Sequence, residues 1–283
     1  MTAKEANDRG QEALVAEQYE DAVRYFRQAV AEAPEWSVPH YNLGLTYKNT
    51  RDWKESRDAN LAAFRLDPED EATMWNLAIS AVAISDWDSA GQAFLAIGLQ
   101  LPDGSPPWDF RLGLIPIRLS PDEYPEVVWC HRLDPVRGKV ANVPFPDCGH
   151  RFGDIVLNDG EPRGYRQYRG KEVPVFNALK LLEASEYSTF QALLHVKNSS
   201  TLDGLMGRFE EHMMEAENWT ESVRMLCRAC SEGLPHEEHD NELQDESMDN
   251  IIRLGIAATQ EHEVRRILDL WAGGQILKLE KVL

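Results

Sequence analysis

Cys227 and Cys230, then His236 and His239 after a Ser-Glu-Gly-Leu-Pro connection, place two thiols and two imidazoles within 13 residues. Two thiolates and two imidazoles form the tetrahedral shell that Zn²⁺ prefers. Gly233 and Pro235 supply a turn between the pairs, and neighbouring acids would orient the imidazoles. The connection is tighter than in finger modules, whose ligand pairs stand ~12 residues or more apart. A second reading competes with zinc. Val223, Leu226, Cys227 and Cys230 fall at i, i+3, i+4 and i+7, the apolar face of a helix capped at Thr220, where cysteine serves as a small hydrophobe. A redox role fits less well, because thiolate activation needs the N-terminal end of a helix and this pair ends one.

Three other groups could carry chemistry. Cys130-His131 and Cys148-Gly149-His150 could add metal ligands. On a strand the first pair splits to opposite faces, whereas the second projects both side chains to one side. His150 and Asp154, followed by Asn158-Asp159-Gly160-Glu161, gather an imidazole and carboxylates between turns. They would serve either an acid-base or cation site, or the turns alone. Arg163 to Lys171 (RGYRQYRGK) interleaves aromatics with cations, as surfaces for single-stranded nucleic acid do. GxSxG, GxxxxGK[ST], GxGxxG and HExxH are all absent from the sequence.

The elements that position these residues come from a chain of 283 residues, long enough for two domains. Its 29 basic and 48 acidic residues give a net charge of −19, which opposes non-specific attraction to nucleic acid or to anionic membranes. Glu237 to Asp249 holds seven acids and no Lys or Arg, the pattern of a solvated segment. No apolar run reaches the ~18 residues of a membrane span. The first residues lack a basic and apolar secretory leader, and the four cysteines are too few for a disulfide scaffold, so a cytoplasmic protein is expected.

Pro34, Pro68 and Pro102 repeat every 34 residues, and so do Tyr19, Trp53 and Trp87. A period of ~34 marks a solenoid of helical hairpins. Small residues recur at Gly10, Gly44 and Ala78 and at Ala22, Ser56 and Ala90, opposite large ones at Phe26 and Phe94, with Asn60 the exception. Alternating small and large residues lets antiparallel helices interlock. Each proline is expected to stop the helix before it.

With these positions, residues 3–103 resemble the tetratricopeptide repeat family, with departures at Arg9, Ala13, Ala81 and Asn60. The resemblance implies a groove lined by the first helix of each unit: Asn7, Gln11 and Leu14, then Tyr41, Leu45 and Lys48, then Trp75, Ile79 and Val82. A carboxylate clamp of the kind some members carry is not expected. Asn42 and Asn76 are present, but the cationic positions of the third unit hold Ala72 and Asn76.

Asp103-Gly104-Ser105-Pro106-Pro107 is a turn-rich break, dividing the chain into 1–103 and 104–283. Beyond it, Leu114–Leu119, Val127–Leu133, Lys139–Val143, Asp154–Leu157, Tyr165–Tyr168 and Val173–Phe176 read as short strands of a small antiparallel sheet or barrel, strand-rich over 110–176. The stretch 177–283 reads as helix-rich. Leu179, Leu182 and Tyr187 suggest one helix, and a second, capped by Ser200, carries a stripe from Leu202 to Met213. A strand (Ile251–Ala257), a helix (Glu263–Trp271) and a strand (Ile276–Val282) follow. The fold class expected is a three-unit helical-hairpin solenoid followed by an α+β domain. The function expected is a non-catalytic adaptor for a protein or peptide, with intramolecular docking of the repeats as a rival use of the groove. The alternatives are a metal-assisted hydrolase around His150, Asp154 and the Cys/His group, or nucleic-acid binding through the basic run.

Overall fold

The computed structural model describes residues 1–220 and 250–283. It divides into two compact units: Met1–Phe110 with Asp134–Val136, and Arg111–Leu133 with Arg137–Leu283.

The first unit holds six helices: α1 (Ala3–Val15), α2 (Tyr19–Glu32), α3 (Ser37–Asn49), α4 (Trp53–Leu66), α5 (Glu71–Ala83) and α6 (Trp87–Ala96). Thr2 and Glu5 form a reciprocal capping box at α1, and Asp70 caps α5 by accepting from the Thr73 amide. The period reaches the backbone itself. Glu17, Arg51 and Ser85, at 34-residue spacing, all take positive φ (57°, 63° and 60°). The amides that follow them, of Gln18, Asp52 and Asp86, bond back to the carbonyls of Ala13, Tyr47 and Ala81 at 2.8–2.9 Å. Each hairpin therefore turns on the same Schellman motif, in which a left-handed residue satisfies the last helical carbonyls.

Pro34 and Pro68 lie just beyond α2 and α4, as expected of helix stops. Pro102 does not stop α6. That helix has 10 residues against 14 in α2 and α4, because Gly98 (φ 96°) ends it early and the Leu99 amide closes on the Phe94 carbonyl. The chain then folds back over α6. Trp108 sits edge-on to Trp87 at 6.4 Å, Phe110 edge-on to Phe94 at 5.5 Å, and Trp108 and Leu101 close over Gly91. These aromatics cap the last repeat, the service a terminal unit gives a solenoid.

In the second unit, β1 (Leu114–Leu119), β2 (Glu126–Asp134), β3 (Arg137–Val140), β4 (Ile155–Tyr168) and β5 (Lys171–Glu183) form a closed barrel in chain order, sealed by parallel pairing of β1 with β5. Ile115, Ile117, Leu119, Val128, Cys130, Val140, Val156, Phe176 and Ala178 fill it. Arg169 and Gly170 both have positive φ and make the two-residue hairpin turn joining β4 to β5.

The rest is β6 (Ser188–Val196), α7 (Ser199–Glu211), β7 (Glu215–Asn218), β8 (Ile251–Ala258), α8 (Glu261–Asp269) and β9 (Gly274–Lys281). The sheet order β7-β8-β6-β9, antiparallel throughout, is that of a split β-α-β-β-α-β arrangement among the described elements. The helices bury Leu202, Leu205, Phe209, Val264, Ile267 and Leu268 against Phe190, Leu194, Leu254 and Ile256.

Three expectations for this part are corrected. Leu179 and Leu182 lie on β5, paired with β4, not on a helix. The cap of α7 is Asn198, whose side chain accepts from the Thr201 amide, two residues ahead of the expected Ser200. Met213 lies past the end of α7, at positive φ and exposed, so the stripe stops at Phe209. No helix among the described residues is long and apolar enough to cross a membrane.

The barrel and the sheet are joined inside this unit by Trp219. Its buried indole lies against Gly255, where a Cβ would come within 2.1 Å of Cε2, and its Nε1–H donates to the Val143 carbonyl at 3.0 Å. Phe145 stacks on the same ring at 5.0 Å, and Glu217 accepts the Val143 amide at 3.2 Å.

Candidate functional site

The first helices of the three units touch in sequence, α1 with α3 and α3 with α5. What allows the close approach within each unit is the small residue facing the second helix. A Cβ on Gly10 would meet the Phe26 ring at 2.5 Å, and one on Gly44 would meet Asn60 at 2.4 Å. In the third unit Ala78 and Phe94 are both fully buried. Six helices paired as hairpins, locked by a small residue against a large one at a 34-residue period, make up the unit. The first third of the chain is a three-unit helical-hairpin solenoid, the architecture that tetratricopeptide repeats have.

Solved structures similar to it include the second tetratricopeptide domain of Spaghetti (RPAP3) bound to an HSP90 peptide. That match has 18% identity and a TM-score of 0.33, and covers 34% of this chain and 90% of that one. The TPR2B domain of yeast Sti1, in a complex with Hsp70, matches at 21% identity and a TM-score of 0.31, covering 33% of this chain and 75% of that one. A double mutant of MamA matches at 26% identity and a TM-score of 0.32, covering 34% and 53%. No protein-family model and no curated protein matches the chain.

The nine groove positions stand at i, i+4 and i+7 of α1, α3 and α5, which is one face of each helix. Gln11 is exposed, while Leu14, Tyr41, Leu45, Lys48 and Trp75 are half-buried. The Trp75 indole donates to Glu71 Oε1 at 3.3 Å. Asn7, Ile79 and Val82 are buried. Asn7 accepts from Asn42 Nδ2 at 2.9 Å, so the Asn42 amide is engaged within the array rather than offered to a carboxylate. The accessible part of the row is aromatic and aliphatic, with the Gln11 amide at one end and Lys48 as its cation.

The second unit places the other candidates. Cys130 points into the barrel and His131 is exposed, so the two diverge as the strand period requires. Cys148 is buried, and burial together with the Glu126 and Asp154 carboxylates pushes its thiol up to about 12. It is therefore a protonated core residue at neutral pH and not a nucleophile. His150 Nδ1 stands 3.4 Å from Asp154 Oδ2. Both Asp154 oxygens, however, accept backbone amides, of Arg151 at 2.9 Å and Ser185 at 2.7 Å, so the carboxylate ties the loop to the end of β5. Among the described residues no three His, Cys, Asp or Glu come close enough to hold a metal ion. Cys227, Cys230, His236 and His239 lie outside the described residues.

The basic run is where sequence reasoning missed a partner. Trp129, on β2, packs against Tyr168 at 4.7 Å and takes Arg166 over its ring at 6.0 Å. The only hint in the sequence was an outward Trp between two inward residues of a strand, Val128 and Cys130.

Proposed function

We propose that the chain is a non-catalytic adaptor that holds a protein or peptide partner on the face of α1, α3 and α5. The reading rests on one observation: Tyr41 and Trp75 occupy equivalent positions on touching helices, partly exposed, with Leu14, Leu45 and Lys48 beside them. A large aromatic at low entropic cost is what interface hot spots use. Aliphatic neighbours exclude water, and the single lysine orients without demanding a terminal carboxylate. Panning a peptide library against the protein should yield binders that Tyr41→Ala with Trp75→Ala loses. Two truncated hot spots at about 2 kcal/mol each weaken binding by at least ~100-fold. The helical circular dichroism and melting temperature should stay close to the parent's. A double variant that unfolds would show the two rings to be core, and the proposal would fall.

A structural zinc at Cys227, Cys230, His236 and His239 is a separate part of the proposal, supported by donor chemistry alone. Elemental analysis should find about one equivalent of zinc in the protein and none after Cys227→Ser. Zinc in neither sample would remove it.

A further inference from the structure

The run Arg163–Lys171 forms the outer arm of the β4–β5 hairpin. Tyr168 pairs across the ladder with Lys171, and Arg166 pairs with Val173. The two-residue period places Arg166, Tyr168 and both partners on one face of the arm. β3 stops at Val140, and the arm reaches β2 beyond it, where Arg166 Nη1 donates to the Val127 carbonyl at 3.2 Å. Trp129 meets Tyr168 there, and Arg169 lies over the Tyr168 ring at 5.1 Å. His131, two residues along β2 from Trp129, is exposed on the same outward side.

The acids nearest in sequence do not cancel this face. Glu161 is engaged by Arg163 at 2.9 Å. Glu172 pairs with Gln167, so it stands on the opposite side of the arm. From Arg111 to Glu183 the chain has eleven Lys and Arg against ten Asp and Glu, so the barrel is near neutral and the net −19 is carried elsewhere. Charges farther than a Debye length of ~8 Å are largely screened at physiological salt. The overall acidity therefore does not decide what this face attracts.

We propose that this face of the barrel binds single-stranded nucleic acid. Trp129 and Tyr168 offer rings on which bases stack, and Arg169 and Lys171 stand at the turn to meet phosphates, with Arg166 holding the two rings together. Cations alone would suit any polyanion. The side chains of Asp and Glu offer the rings no aromatic face, whereas a single strand alternates bases with charge and stacks without sequence preference.

The test is fluorescence anisotropy of the full chain with a labelled oligothymidine at ~50 mM and ~200 mM salt. Two phosphate contacts on a single strand give a salt slope of about −1.4, so the fourfold rise in salt should weaken binding roughly sevenfold. Arg169→Ala with Lys171→Ala should remove nearly all of that salt dependence. Tyr168→Leu should weaken binding roughly 5- to 100-fold at both salts while leaving the slope unchanged. Arg169 and Lys171 are exposed at the turn, so their variant keeps the fold and decides the matter even if Tyr168→Leu does not fold. No binding at ~50 mM salt, variants that bind like the parent, or a labelled polyglutamate peptide that binds more tightly than the oligonucleotide would each overturn the proposal.

Discussion

Gly44→Ala is a substitution whose sign is set by the packing of one repeat. Alanine is the better helix former, by about 1 kcal/mol, so propensity alone predicts stabilisation. The structure predicts the reverse. An ideal Cβ at Gly44 would lie 2.4–2.5 Å from Oδ1, Cγ and Nδ2 of Asn60, all far inside contact distance. Asn60 is fully buried and cannot retreat cheaply. Its Nδ2 donates to the Ser56 carbonyl at 2.9 Å, and the Ser56 hydroxyl donates to the Gly44 carbonyl at 2.8 Å. Overpacking costs about 1–3 kcal/mol, and a displaced buried amide adds about 1 kcal/mol. After the gain in propensity, a net loss of about 1–3 kcal/mol remains. In a urea titration followed by circular dichroism at the helical band, this should lower the midpoint by roughly 0.5–1.5 M. Gly204 on α7 is the internal control, because a Cβ there meets nothing within 4 Å. Gly204→Ala should slow hydrogen exchange of the α7 amides, gaining about 0.5–1 kcal/mol. Adding Asn60→Ala should cost less in the Gly44→Ala background than in the parent. A neutral or stabilising Gly44→Ala would refute the close approach of α3 and α4.

Two further outcomes follow from the second unit. Gly255→Ala should lower the melting temperature more than Trp219→Phe: the first drives a Cβ into the indole, whereas the second removes one hydrogen-bond donor worth about 1 kcal/mol. The reverse order would show that the indole does not lie on that glycine. Burial, and secondarily the Glu210 charge, raises the Glu215 carboxyl above its ordinary range. A raised folded pKa means that the proton favours the folded state, so this contribution is complete below the unfolded value of about 4.3 and is lost as pH rises through the folded value. Glu215→Gln should match the parent at low pH and gain on it towards neutrality in urea titrations, and equal pH profiles would refute the burial effect.

The repeats were legible because each unit must solve the same problem with the same means, so Gly10, Gly44 and Ala78 announce helix crossings wherever they fall. Pro, Gly and Asp marked the barrel strands only in part: Asp159, Gly160 and Pro162 lie within β4, so the short strands expected at Asp154–Leu157 and Tyr165–Tyr168 are one. Leu179 and Leu182 misled for a definable reason: β5 pairs with β4 through several register shifts, and a bulged strand can space apolar residues by three as a helix does. The split sheet order was not legible at all. Its pairings join β6 to β8 and β9, and nothing local in Phe190 or Leu194 names a strand so distant in sequence. Of the nine groove positions, helical spacing placed every one on a common face, but could not say that Ile79 and Val82 would be buried while Trp75 stayed partly exposed. Trp129 belonged to the basic arm only once the barrel had closed, because strand period shows which way a residue points and not what it meets.

The three Schellman turns set a timetable as the chain is made. Each closes on residues within its own hairpin, so every repeat holds all its turn contacts as soon as it has left the ribosome. The split sheet has no such independence. Its central strand β6 waits for β9, the last strand of the chain, and Thr189 bonds to Val282 and Leu283 themselves. Such long-range pairing is slow to form. A ribosome stalled shortly before β9 would therefore carry a finished repeat array followed by a second unit still unable to close its sheet.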